Sequence, residues 1–303
     1  MKHKVIDIEN RDEVLQKSDK LIHGLDAGIQ AISMDFGYHI KNTFAEPKIF
    51  DLRNNISYRL SSSRFHFHLL FRQLNDIQLK HDNLEISNDI RNSSVWHLEL
   101  DKRQLSYLLD SIVFHLSSVF DYSAILINYI LAKTDDTPNW NKIENYARGN
   151  SGPFSNEKSN KVKECVIEVH NNFVRQLYDY RSDIIHRTSD ILSASFAHEF
   201  KSNKKTILFL SSKLQQKKFK GLQDLENKYT VTYFVHHLIL QTIESLANLI
   251  RVLRNYMEDN SNNQSLMEEG KVMFAYIGDN KEIVSPSIMY WNEFERIFHE
   301  QSV

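Results

Sequence analysis

A mainly all-α protein, an antiparallel helical bundle with an N-terminal helical extension and one or two small β-hairpins, is the fold class this sequence predicts. Three observations predict it. The 303 residues include only eight glycines and four prolines, about a third of the usual share. Long stretches repeat apolar residues at steps of three and four, the spacing of one helix face. And the chain lacks the tight turns, one roughly every 8–12 residues, that sandwiches, barrels and propellers require.

The elements follow in order. Residues 11–44 read as a helix softened at Gly24 and Gly28 and ended before Pro47. Residues 57–82 read as a second helix. Val95 to Leu100 alternates like a short strand. Asp101 with Gln104 then has the form of a capping box, opening a third helix to about residue 132. Its stripe of Leu105, Leu109, Ile112, Leu116, Val119, Leu126 and Ile130 keeps helical spacing, and other apolar groups flank it. Asp110, Ser117, Asp121 and Asn128 fall together on the opposite side, as a polar seam that is either a strip of solvent or the wall of a cleft. Residues 134–155 read as loop with a short helix from Trp140 to Tyr146. The fourth long helix, about 156–190, carries Val162, Val166, Val169, Phe173, Leu177, Tyr180 and Ile184 on one stripe.

Residues 193–210 read as a hairpin, and about 222–258 as the fifth long helix. Residues 259–270 form a polar linker, followed by a second hairpin about Gly278-Asp279-Asn280 and a short helix ending near Phe298. The organisation expected is an N-terminal helical extension (1–100), a helical bundle with a hairpin insertion near 193–212 (101–258), and a linker with a small appendage (259–303).

Composition narrows the function. An apolar share of 41%, including 11% aromatic, suffices for a large core, and 25% charged residues argue against global disorder. The net charge is −2 and the pI about 6.7, so any nucleic-acid surface must be local. One cysteine, Cys165, excludes an internal disulfide framework and a cysteine-based zinc cluster. The charged start, Met1 to Asp7, reads against a signal peptide, and residues 111–132 are interrupted by His115, Asp121 and Asn128, against a membrane span. A soluble cytoplasmic protein is expected.

Several chemistries lack their residues. Di-iron bundles need paired Glu-x-x-His elements, and none occurs. His66 and His68 diverge on a helix, as do His236 and His237, so no metal is expected. Scarce glycine excludes phosphate-cradling loops, and there is no Gly-x-Ser-x-Gly elbow. No cofactor is expected either.

What remains is Tyr178-Asp179-Tyr180-Arg181-Ser182-Asp183-Ile184-Ile185-His186-Arg187. Arg–His spacings of this kind recur at Arg59–His66 and Arg91–His97, but only Arg181 and His186 lie late on a long helix with a clean core stripe. Here residues 101–258 resemble the HEPN superfamily, helical bundles in which a helix carries Arg, four to six residues, then His. The family often places Asn, Asp or His directly after the Arg; here Ser182 holds that place and Asp183 the next. The resemblance implies a homodimeric, metal-independent endoribonuclease with Arg181 and His186 as catalytic residues, acting in stress response or antiphage defence. It also allows a catalytically inactive module that binds RNA, a nucleotide or a partner protein. An antitoxin or other regulatory partner is a further implication.

The residue types suit that chemistry. Imidazole exchanges protons near neutrality, and guanidinium presents a fork to phosphate oxygens. On a straight helix the two lie about 140° apart, so one phosphate meets both only where two copies of the helix approach. Asp183 either holds the imidazole or faces water, and Asp121 is a weaker candidate for the same cleft. Read without the resemblance, His186 is a solvated helix residue and Arg181 a surface ion-pair partner. Residues 201–220 contain seven lysines and no acidic residue. Lys201, Lys204, Lys205, Lys217 and Lys218 are either an RNA-backbone track or a solvated charged hairpin. RNA and a second copy are the partners expected, and a membrane is not.

Overall fold

The computed structural model describes residues 4–41, 47–82, 90–186, 192–199, 204–223, 227–261, 276–277, 283–284 and 287–299. The chain is mainly helical. Its helices are α1 (Arg11–Asp35), α2 (Pro47–Asp82), α3 (Ile90–Ala132), α4 (Trp140–Arg148), α5 (Asn160–Val169), α6 (Arg175–His186), α7 (Lys213–Lys218), α8 (Val231–Asp259) and α9 (Ile288–His299). Wider π-turns continue α1 through Phe36–Lys41 and join α5 to α6 through His170–Val174. The strands are β1 (Lys4–Ile6), β2 (Ser193–Glu199), β3 (Lys204–Leu210), β4 (Asn227–Tyr229), β5 (Tyr276–Ile277) and β6 (Ile283–Val284). The pairs β2–β3 and β5–β6 are antiparallel, the two hairpins expected. The turn residues Ser202, Asn203 and Gly278 to Asn280 lie outside the described residues. A parallel pair, β1 with β4, was not legible, because its strands are three residues long and 223 positions apart (Lys4 to Asn227).

Three local expectations are corrected. Val95 to Leu100 is helix, within the second and third turns of α3, not strand. An isolated strand leaves its amides and carbonyls unpaired, whereas a helix without Gly or Pro from 90 to 132 gains a bond with each added residue. Asp101 therefore sits inside α3, buried, 3.7 Å from Lys80 Nζ, and caps nothing. Gly24 and Gly28 do not soften α1: they give it a flat face. A Cβ on Gly28 would stand 2.6 Å from Phe294 Cδ2, and one on Gly24 2.8 Å from Ile297 Cγ2, so α9 packs where only hydrogen fits.

The described chain divides into two compact units, Met1–Gln16 with Ser62–Ser117 and Arg175–Leu240, and Lys17–Ser61 with Ser118–Val174 and Gln241–Val303. Each draws on both 1–100 and 101–258.

In the first unit α2 and α3 run antiparallel: His66 meets His115, Gln73 bonds Gln104 at 2.8 Å, and Lys80 reaches Asp101. Tyr180 of α6, fully buried, lies edge-on to Phe219 and Phe234. Gln215 of α7 donates to Tyr180 Oη at 3.0 Å and forms a capping box with Ser212, so α7 is locked onto α6. Asp7 accepts from Thr230 Oγ1 and Thr232 Oγ1 at 2.6 and 2.5 Å, tying the start of α8 to the segment after β1.

In the second unit the Trp140 ring is buried edge-on to Phe120. Asp35, 1% exposed, accepts from Trp291 Nε1 at 2.6 Å and from Ser287 Oγ, which satisfies a carboxylate that burial alone would make costly. Among the described residues, Leu98–Ala132 is the one stretch of helix long and apolar enough to cross a membrane by length and composition, and 61% of its most apolar window is buried within the protein.

Candidate functional site

In α6, Leu177 and Tyr180 of the expected core stripe are both buried. Arg181 follows at the edge of that stripe, half-buried. Its guanidinium lies 5.5 Å from the centre of the Phe114 ring, a cation–π contact. Both line an open cleft of about 340 Å³ in the first unit. Asp110, Ser111 and His115 of α3 form its polar wall, and Ile184 and Ile185 of α6 its apolar one. A permanent cation, a carboxylate, an imidazole and a hydroxyl thus line one concave surface, with apolar groups beside them.

His115 was not singled out as a site residue from the sequence. The signal that could have found it is Ser111 and His115 at i, i+4, neighbours on one face of a helix. The His115 ring lies 5.2 Å from that of His66, tilted by 34°. His66 Nδ1 is 2.7 Å from the Ser62 carbonyl oxygen; a carbonyl only accepts, so that nitrogen donates.

His186 is the last residue of α6, exposed, and is not among the residues lining the cleft. One protomer therefore does not bring it to Arg181 there, as their angular separation on the helix anticipates. Ser182 is exposed. Asp183 pairs with Lys218 Nζ at 2.6 Å, both side chains largely shielded, so α7 supplies a partner that the sequence pattern did not suggest. Lys217 is exposed on the same helix. Lys204 and Lys205 fall on β3, opposite Glu199 and His198, and Lys201 lies outside the described residues.

The polar seam of α3 has several fates. Asp110 reaches the cleft. Ser117 is fully buried and donates to the Phe114 carbonyl at 2.9 Å. Asp121, in the second unit, accepts from the Trp140 amide at 3.1 Å and joins Asn139 at the positive end of α4. Asn128, also there and buried, donates to Thr134 Oγ1 at 3.1 Å. The loop before α4 uses these last two groups, so Asp121 does structural work where it stands. Among the described residues no three His, Cys, Asp or Glu side chains gather as a metal site.

Comparison with protein-family models, with curated proteins and with solved structures returned no match for this chain.

Proposed function

We propose that the chain is a metal-independent endoribonuclease of the HEPN type, working as a homodimer. The observation that carries this reading is Arg181, half-buried on a late bundle helix and lining an open cleft beside an imidazole. The guanidinium holds the non-bridging oxygens of a scissile phosphate and offsets charge gathering there. An imidazole takes the proton of the ribose 2′-hydroxyl. The 2′-oxygen attacks phosphorus, the bond to the 5′-oxygen breaks, and that oxygen leaves with a proton. The ends formed are a 2′,3′-cyclic phosphate and a 5′-hydroxyl. Exposed Lys217 and the lysine-rich stretch 201–220 supply charge for the RNA backbone. A role in stress response or antiphage defence, with an antitoxin-like partner, belongs to the same reading.

A second reading is favoured by one specific observation, the absence of His186 from the cleft: an RNA-binding module without catalysis. One experiment separates them. Purified protein is incubated with total RNA in excess EDTA, alongside Arg181→Ala, His186→Ala and His115→Ala. Cleavage that survives chelation and falls about 100-fold or more in Arg181→Ala supports the nuclease. Loss in His186→Ala identifies the composite site, and loss in His115→Ala places the base within one protomer. RNA binding without cleavage by the parent supports the second reading.

A further inference from the structure

The cores of α2 and α3 are made by one set of residues, and a second apolar set faces outward. On α2 the core side holds Phe67, Leu70, Leu74 and Ile77; on α3 it holds Leu105, Leu109, Ile112 and Leu116. Away from both, Phe65 is 58% and Leu79 60% exposed on α2, and Leu100 40%, Tyr107 64% and Phe114 43% on α3. They recur at steps of seven, two helical turns, so each helix presents a nearly straight line. Arg72, exposed, fills the middle step on α2.

The contacts between the helices show that the two lines lie side by side. His66 stacks near His115, Gln73 bonds Gln104 and Lys80 reaches Asp101. Phe65 is therefore level with Phe114, Arg72 with Tyr107, and Leu79 with Leu100. The result is a strip in three layers, and Phe114 carries it into the Arg181 cleft, where Ile185 extends it at 56% exposure.

We propose that this strip is the seam on which a second copy of the chain docks. Three features select that occupant. Phe65, Leu79, Leu100, Tyr107, Phe114 and Ile185 together expose on the order of 600 Å², at the top of what a monomer shows and most of the roughly 800 Å² each partner contributes to a standard interface. The charges among the layers, Arg72, Lys80 and Arg103 against Asp76, Asp101 and Asp110, balance, so the face does not repel itself. The mixed signs also disfavour an anionic lipid surface, which selects for Lys and Arg alone. And a single charged position in a heptad line specifies register rather than strength.

The seam stands on exposure and spacing alone. Its catalytic consequence, that the second copy brings groups such as His186 to the mouth of the cleft, rests on the nuclease reading.

The test is the mass of the full chain in solution by light scattering, at up to about 100 μM. The parent is expected at twice its 35.7 kDa. Tyr107→Glu and Phe65→Glu, both exposed and so foldable, are expected to raise the dimer dissociation constant by about 30-fold or more, with unchanged circular dichroism. Tyr290→Glu, an exposed aromatic on α9, is expected to leave the dimer intact. A monomeric parent, or a dimer indifferent to both strip substitutions, overturns the seam. A dimer broken by them that never cuts RNA upholds the seam and removes the nuclease.

Discussion

A thiol reacts as its thiolate, so its surroundings decide its chemistry. Cys165 is buried, and burial, helped by Glu168, pushes its thiol up to about 12. Native protein at about pH 8 should therefore resist a disulfide reagent, and the single thiol should titrate only after denaturant is added; rapid native labelling would contradict the packing of α5. The same attention to surroundings explains which site residues could be read from sequence. For Arg181 the sequence showed a charged group at the edge of an apolar stripe, which reads as a surface ion-pair partner; only the resemblance singled it out, and the cleft it lines came with the neighbouring helix. His115 was not legible, because an imidazole beside such a stripe is compatible with core, surface or site until the neighbouring helix is known. Asp183 and Asp121 were legible as polar, but their partners, Lys218 and the Trp140 amide, come from elements 35 and 19 residues further on, and no local pattern encodes them.

Elements show the same division. The helices rest on spacing that repeats over many turns, and the long hairpin on local alternation, so both could be read directly. Val95 to Leu100 could not, because six alternating residues are ambiguous until something pairs with them. The glycines of α1 carry a distinct prediction. Gly28→Ala should destabilise by about 1–3 kcal/mol, because its methyl group meets the Phe294 ring. An isolated helix would gain from the same change, since alanine is the better helix former. A raised melting temperature would therefore show that α1 and α9 do not pack closely. The gain or loss is read by thermal unfolding.

At the scale of the molecule, protonation should govern stability below neutrality. His39 in one unit and His237 in the other are each held below the ordinary imidazole value of 6.5, chiefly by burial. At His39, Asp35 and Glu258 pull upward and Arg254 pushes further down. The unfolded chain binds protons at these positions before the folded chain does. Stability is then complete above about 6.5 and declines as pH falls from there towards the lowered folded values. Glu244 works in the opposite sense, since burial raises its carboxyl above 4.5, and it offsets part of the loss at the acid end. The urea midpoint should fall between about pH 7.5 and pH 5.5, and His237→Gln should flatten that fall. A midpoint that rises over this range would mean that the two imidazoles are not shielded as described.

The sequence by itself determined the helical class, the long amphipathic elements and both hairpins. All of these rest on spacing within one segment, where backbone geometry links position to direction. Only the tertiary structure decided which polar groups meet. The cleft joins α3 to α6, Asp183 joins α7, β1 pairs with β4, and the apolar lines of α2 and α3 become one strip. Those arrangements depend on how segments far apart in the chain pack against one another. A periodic pattern tells a residue which way to face, and only packing supplies what it faces.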